Sequence, residues 1–533
     1  MKRVILAALG VAAVAIWGFG GKGNLGRHDE WNILPNGTIW PLGTWGLPIA
    51  VLLLFGGAAL LSAYDRFNRA KSRQEEKNSV VIALICLAIL GFLLPWTLLG
   101  PGNLKRINEP SQLARITLEG RFNLIASQWS DLATEYFGMA YSIDDAREFS
   151  RTYASTRQNP NARVLAHIAT HPPGATLWYY GVRRFAEGVP GLNDNLNSLA
   201  VRLTGQEEAP LFSLLNNVRA TASRGAGVPA PPPLPRGAIG GALLCVILMG
   251  LSLIVALPAV YGLATIGIDE TSRNDAEARG LFACALWVLA PSFNLYSFSL
   301  DAVIACGAAW TLFFAARALS NHAPRDAVLT GIALALTSML SFGALALSLV
   351  IIFAALFSRT PFSRWFRTAA FAVVAFVLAW VLAALWGGFN PLQVMLQATA
   401  AHKSATLNVR PYSHWVVLNL FIWAIFCGWP LIVSLAEATR VRKELIIRTG
   451  TRKEASAFPL GLAFALGTIS TLVLLCLSGQ VRGEVERLWL FLLAPLTACL
   501  VVRSGKEATA MAVLQGVQTL VMAATIAPLI RPF

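Results

Sequence analysis

GAIGGALLCVILMGLSLIVALPAVYGLATI, residues 237–266, decides the fold. It holds no charged residue. A helix needs about 20 apolar residues to cross a hydrocarbon core roughly 30 Å thick, so this stretch reads as a membrane span. Outward from it, similar runs stand at 4–20, 46–64, 79–99, 280–298, 302–319, 327–357, 368–387, 416–436, 457–478, 487–503 and 509–530. The run 327–357 is long for one span and is interrupted by Ser338, Ser341 and Gly343. It reads as a tight pair of helices, which brings the expected count to thirteen.

Composition agrees. Of 533 residues, 56% are apolar and 13% charged, against about 25% charged in a soluble domain. Strand-like alternation is rare, which argues against a β-barrel. The expected fold class is an all-α polytopic membrane protein with a large, mainly helical outer loop. The net charge of +15 reflects basic loops on the cytoplasmic side. With no basic recognition helix or motif, nucleic acid is not an expected partner. All seven cysteines lie inside apolar runs, so neither a disulfide framework nor a metal-binding CxxC spacing is expected. The N-terminal MKRVILAALGVAAVAIWGFGG resembles a signal peptide but lacks a clear cleavage site, and it reads as a retained first helix.

Loop charges set the expected orientation. Basic residues gather at 65–77, 359–367 and 440–453, and at Arg503 and Lys506. With the N-terminus inside and 327–357 as two spans, all of them face the cytoplasm. Segments 100–236, 388–415 and 479–486 then lie outside, at the outer face of the cell membrane. The chain divides into 1–78, two helices and a basic loop; 79–236, a span and the large outer loop; and 237–533, the main bundle. Residues 111–127 and 131–141 look like short amphipathic helices. VPAPPPLPR, 228–236, reads as a stiff polyproline-type linker.

The outer segments hold the residues able to carry chemistry. In SQWSDLATEYFGMAYSIDD, 127–145, Asp131 and Glu135 are four apart and share one helical face. The plainer reading is a solvated carboxylate pair. In HIATHPPGATLWYY, 167–180, Pro172 and Pro173 fix two successive φ angles and remove two donors. Gly174 lets the backbone turn or approach a ligand. His171 is thereby presented on a rigid elbow, or is incidental to a helix start. In GQVRGEVERLWLFLLAP, 479–495, Arg482, Glu484, Glu486 and Arg487 crowd the mouth of a span. Such charges are costly unless paired or used on a ligand, and guanidinium groups suit a phosphate. In 390–415, His402, Lys403, Arg410, Tyr412 and His414 share one loop. Asp301, at the outer end of a span, is either functional or salt-bridged to an outer-loop arginine.

An outer-loop acid followed by Glu-Tyr, and by His-Pro-Pro about 40 residues later, resembles the membrane glycosyltransferases of the GT-C fold. The nearer likeness is to the polyprenyl-phosphate-sugar-dependent mannosyltransferase and aminoarabinose-transferase type. APSFNLYSFSLDA, RPYSHWVVLNL and RGEVERLWLFLLAP are similar to segments of that broad group, and the resemblance covers roughly 79–500. It implies inverting transfer of a sugar from a lipid-linked donor to a glycan, lipid or protein acceptor at the outer face. By position, Asp131 matches the general base, Glu135 the second acid and His171 the histidine of the elbow. Arg482 and Arg487, with Lys403 and Arg410, are the candidates for holding the donor phosphate. Glu484, Glu486, Asp301, Tyr412 and His402 are further candidates. No ligand set demands a metal, although the first-loop carboxylates could recruit a divalent cation. The chain differs from the family pattern in its two preceding helices and in about 50 polar residues at 183–236. A polysaccharide polymerase or ligase is the alternative enzyme, and a lipid-linked sugar transporter or flippase the alternative of another class.

Overall fold

Proline and glycine punctuate the helices of this chain. The computed structural model describes residues 2–20, 25–26, 32–33, 51–54, 56–58, 73–98, 136–158, 166–204, 207–225, 233–266, 273–449, 458–497 and 504–525. Among them the chain is helical apart from one two-residue antiparallel pair, β1 (Leu25–Gly26) with β2 (Asn32–Ile33). Asp131 and Glu135 lie outside the described residues, as do most of 46–64 and all of 100–135.

The first helices are α1 (Lys2–Gly20) and α2 (Arg73–Leu98). Residues 136–225 supply α3 (Tyr136–Tyr141), α4 (Ala146–Gln158), α5 (Ala166–Thr170), α6 (Pro173–Gly188), α7 (Leu192–Thr204) and α8 (Glu208–Gly225). The polar stretch after the HPPG elbow is thus largely helical. The bundle continues with α9 (Ala238–Val255), α10 (Leu257–Thr265), α11 (Arg273–Val288), α12 (Pro291–Tyr296) and α13 (Leu300–Asn321). Then come α14 (Pro324–Leu340), α15 (Ala346–Phe357), α16 (Phe362–Gly387) and α17 (Pro391–His402). The last are α18 (Tyr412–Cys427), α19 (Trp429–Thr449), α20 (Leu460–Ser478), α21 (Val485–Leu488), α22 (Leu493–Thr497) and α23 (Gly505–Thr525). Helices α6, α12, α14 and α17 each open on a proline, whose fixed φ suits the first turn and whose missing N–H costs nothing there.

Several long apolar helices mark a multi-pass membrane protein. The expected thirteen spans are not found. Among the described residues five helices are long and apolar enough to cross: Asn78–Leu98, Ala238–Thr265, Leu300–Asn321, Phe362–Gly387 and Leu460–Ser478. A sixth is added if the pair Tyr412–Cys427 and Trp429–Arg440, bent by 103°, counts as one span. One physical reason is that three of the apolar runs are not continuous helices. The run 280–298 breaks before Pro291, and 487–497 falls into the end of α21, a 3-10 turn and α22. The run 416–436 bends at Gly428, whose φ of 95° is in the region that favours glycine.

Buried amides offset these breaks. Gln515 Nε2 on α23 donates to Cys427 O at 2.6 Å, and Gln518 Nε2 to Ile425 O at 2.8 Å. Gln518 Oε1 accepts from Trp429 N at 2.9 Å. At the break before Pro291, Asn294 Nδ2 donates to Val288 O at 2.8 Å and Thr519 Oγ1 to Leu289 O at 2.6 Å. A membrane interior offers no water to backbone groups freed by a bend, so side chains must satisfy them.

The run 327–357 does reverse. Ser341 is extended (φ −153°, ψ 126°), and its hydroxyl accepts from Gly343 N. Gly331 lets α14 meet the Ala372 carbonyl of α16, and Trp380 Nε1 donates to Ser338 Oγ at 3.0 Å. Helices α14 and α16 therefore run in the same direction. Helix α15 runs back along α20, where Phe357 O accepts from Phe458 N and Gly467 meets the Val350 carbonyl. The bundle thus has two ends. One gathers Asp301, Leu340, residues 388–412 and residues 479–487. The other gathers His322, Arg359, Arg364 and Phe458.

Candidate functional site

At the first of these ends, Gly479, Gly483 and Glu484 all have positive φ, at 64°, 86° and 60°. Two are glycines, which adopt this region freely. Glu484 is not, and holding it there costs about 1–3 kcal/mol that surrounding contacts must offset. Its carboxylate supplies those contacts. Oε1 accepts from Arg410 Nη2 at 2.7 Å, and Oε2 from Arg487 Nη2 at 2.8 Å. Arg487 Nη1 then donates to Asp301 Oδ2 at 3.0 Å, and Ser299 Oγ donates to the same oxygen at 3.2 Å. The result is an alternating chain, Asp301–Arg487–Glu484–Arg410, with side chains only 10–18% exposed. Burial alone would lower the Arg487 pKa, but Asp301 and Glu484 outweigh it and raise it, so the guanidinium stays charged. Glu486 is buried beside this chain at 1% exposure.

A clasp joins the loop of α17 and α18 to the loop of α20 and α21. Arg482 donates through Nε to Gly479 O and through Nη1 to Leu407 O and Arg410 O. Arg410 Nη1 donates back to Arg482 O. His402 Nε2 lies 2.6 Å from Gln480 O; a carbonyl only accepts, so this nitrogen carries the proton. Tyr412 OH donates to Leu477 O at 2.9 Å. Asn419 completes the joint: Nδ2 donates to Val481 O at 2.8 Å, and Oδ1 accepts from Gly483 N at 3.0 Å. Lys403 is exposed, and His414 is exposed with its ring against Trp415.

The HPPG elbow lies at the same end. Pro172 caps α6 and Pro173 opens it. His171 Nδ1 is 3.3 Å from Leu340 O, the last residue of α14. Tyr153 OH sits 3.0 Å from both Ile168 O and His171 O. The Tyr136 ring meets the His171 imidazole edge to face at 5.6 Å. Gly174 is required for packing: a Cβ there would stand 2.2 Å from Met339 O. Helix α17 connects the two parts. It packs on α5 and ends at His402, and its twelve residues span about 18 Å.

The structure therefore brings together Asp301, Arg410, Arg482, Glu484 and Arg487, with His402 and Tyr412 at their rim. It places His171 beside α14 and leaves Asp131 and Glu135 outside the described residues. Among the described residues, no three His, Cys, Asp or Glu side chains come together as metal ligands. Sequence reasoning missed Tyr153, Asn419 and the Leu340 carbonyl. For Asn419 a signal existed: one amide within the apolar YSHWVVLNLFIWAIFC. Compared with known proteins, the chain matches no family model, no curated protein and no solved structure.

Proposed function

We propose that the chain is a membrane glycosyltransferase of the GT-C kind. It moves a sugar from a polyprenyl-phosphate donor to an acceptor at the membrane face that carries the Asp301–Arg487 pair. One observation supports this most: the HPPG elbow and the RGEVER segment, some 300 residues apart, lie at one end of the bundle beside a buried chain of carboxylates and guanidiniums. In this reading Asp131 takes the proton from the acceptor hydroxyl. The acceptor oxygen attacks the anomeric carbon from the face opposite the phosphate. The bond to the phosphate oxygen breaks, and polyprenyl phosphate departs. Arg410 and Arg487 exchange part of their contact with Glu484 and Asp301 for the departing phosphate, stabilising its developing charge. Arg482, committed to three carbonyls, positions the loop rather than holding the donor. A donor of this class is the expected partner.

The test is sugar transfer in membranes holding the full chain and a radiolabelled polyprenyl-phosphate sugar. Asp131→Asn should reach the membrane at normal levels and lose transfer by at least about 100-fold, the scale of a lost general base. Near-normal transfer by that variant sinks the assignment of the base and favours a polymerase or ligase that relies on loop arginines. Accumulation of the unaltered lipid-linked sugar in sealed vesicles would instead identify a transporter.

A further inference from the structure

The end of the bundle opposite the Arg487 cluster carries a second, different arrangement of charge. There, Arg325, Arg359, Arg364 and Arg367 are all exposed. Among the described residues none of the four forms an ion pair. The carboxylate beside them, Asp326, is 2% exposed and already bound to Arg317 Nε at 3.2 Å. Two guanidiniums instead converge on a neutral group. Arg364 Nη1 lies 3.1 Å from His322 Nε2, and Arg367 Nη2 reaches His322 O at 3.5 Å. His322 is held there by a left-handed turn (φ 57°) that ends α13. A shallow groove runs between His322–Ala327 and Arg367–Phe371.

The helix that carries Arg364 and Arg367 leaves most of its apolar surface uncovered. Only 6% of the apolar window of α16 is buried, against 61% for Leu300–Asn321. Residues 364, 367, 371, 374 and 378 recur three or four apart and so fall on one face. Phe371, Val374 and Leu378 on that face are 41%, 58% and 55% exposed. A fixed basic site therefore opens directly onto an unbroken apolar stripe. This charge pattern fits a molecule with an anionic head and apolar tails. Guanidinium forks match phosphate geometry, and a zwitterionic head would bring a cation of its own beside them, whereas an anionic head adds only negative charge.

We propose that the N-terminal turn of α16 is a binding site for an anionic membrane phospholipid. Its phosphate is held by Arg364 and Arg367, and its acyl chains lie along Phe371, Val374 and Leu378. The site is independent of the sugar-transfer reading and lies at the other end of the molecule.

The test uses the full chain purified in a neutral detergent and titrated with phosphatidylglycerol or phosphatidylcholine. Bound lipid is counted by native mass spectrometry. Phosphatidylglycerol should be retained over phosphatidylcholine. Arg364→Gln with Arg367→Gln should weaken retention about 25-fold, roughly fivefold for each basic residue at an anionic surface. Arg364→Lys with Arg367→Lys should keep most of it. Inorganic phosphate at matched concentration should not displace the lipid, because it lacks the chains. Equal retention of both lipids overturns the proposal, as does undiminished phosphatidylglycerol on the Gln pair or full displacement by phosphate. Should the Gln pair fail to fold, the unmodified protein still decides: retention that does not fall with added salt also overturns it.

Discussion

Arg487 Nη1 and Asp301 Oδ2 meet at 3.0 Å across 186 residues of sequence, tying the start of α13 to the first turn of α21. Arg487 also holds Glu484, whereas Asp301 has Ser299 as its second donor. The two partners are therefore unequal. Removing Arg487 takes from Asp301 its arginine and from Glu484 one of the two arginines that hold it, while Arg410 stays in place. Removing the charge of Asp301 leaves Arg487 still paired.

Arg487→Ala should accordingly destabilise more than Asp301→Asn. The scale for breaking one side of a buried pair is about 3–5 kcal/mol. Thermal unfolding midpoints of the two purified variants, followed by tryptophan fluorescence, measure this. An Asp301→Asn midpoint as low as that of Arg487→Ala would show that the pair, rather than the wider chain of charges, sets the stability.

Gly428 and Gln518 test how the bent helix pair is kept. A Cβ at Gly428 would stand 2.3 Å from Gln515, and the φ of 95° strains any other residue. Gln518→Leu removes bonds to Ile425 O and Trp429 N together. Each buried group left unsatisfied costs about 1–3 kcal/mol. Gly428→Ala and Gln518→Leu should each lower the unfolding midpoint. Cysteine accessibility should rise at Cys427, which is buried at the bend. Unchanged labelling of Cys427 would refute the role given to the glutamines.

Much of this architecture was legible in the sequence because hydropathy is local. The 237–266 run became one candidate span, Ala238–Thr265, built of α9 and α10, and Ser341 broke 327–357 where polar residues interrupt it. The span count failed where a break depends on partners far away. Nothing near Gly428 reveals that two glutamines about 90 residues later complete it, so 416–436 reads as one straight span. The candidate site divides in the same way. The sequence offers Asp301 either a functional role or an arginine partner, and it pairs with Arg487. The commitment of Arg482 to three carbonyls was not legible, because backbone acceptors leave no mark in residue identity. The roles proposed for Asp131 and Glu135 fall outside the described residues.

His322 reports the electrostatics of the opposite end. Its pKa lies below the ordinary value of 6.5, first through partial burial and then through Arg364 and Arg367. Below its ordinary pKa the unfolded chain binds more protons at this position than the folded one. Its contribution therefore lowers stability as pH falls through that range. Arg364→Gln should raise the His322 pKa towards 6.5 and lessen the loss of stability on acidification. The imidazole carbon resonance, followed by NMR with labelled histidine, measures the first effect. A titration unchanged by the substitution would mean that the guanidinium does not govern this ring.

The HPPG elbow offers the sharpest separation of folding from function. Gly174 meets the Met339 carbonyl so closely that Gly174→Ala must push α6 away from the end of α14. His171 is fixed by its neighbours Leu340 O and Tyr153 OH, so that displacement moves the imidazole. Tyr153→Phe removes only the hydroxyl shared by two carbonyls, a loss of about 0.5–1.5 kcal/mol, and leaves the helix contact in place. Sugar transfer should therefore fall far more in Gly174→Ala than in Tyr153→Phe, while hydrogen exchange in 166–171 rises in both. A 1 Å misplacement at a reacting centre can cost about 100-fold in rate, which gives the size expected for Gly174→Ala. If transfer instead tracks unfolding midpoint equally in the two variants, the elbow is a packing element and His171 has no part in the chemistry.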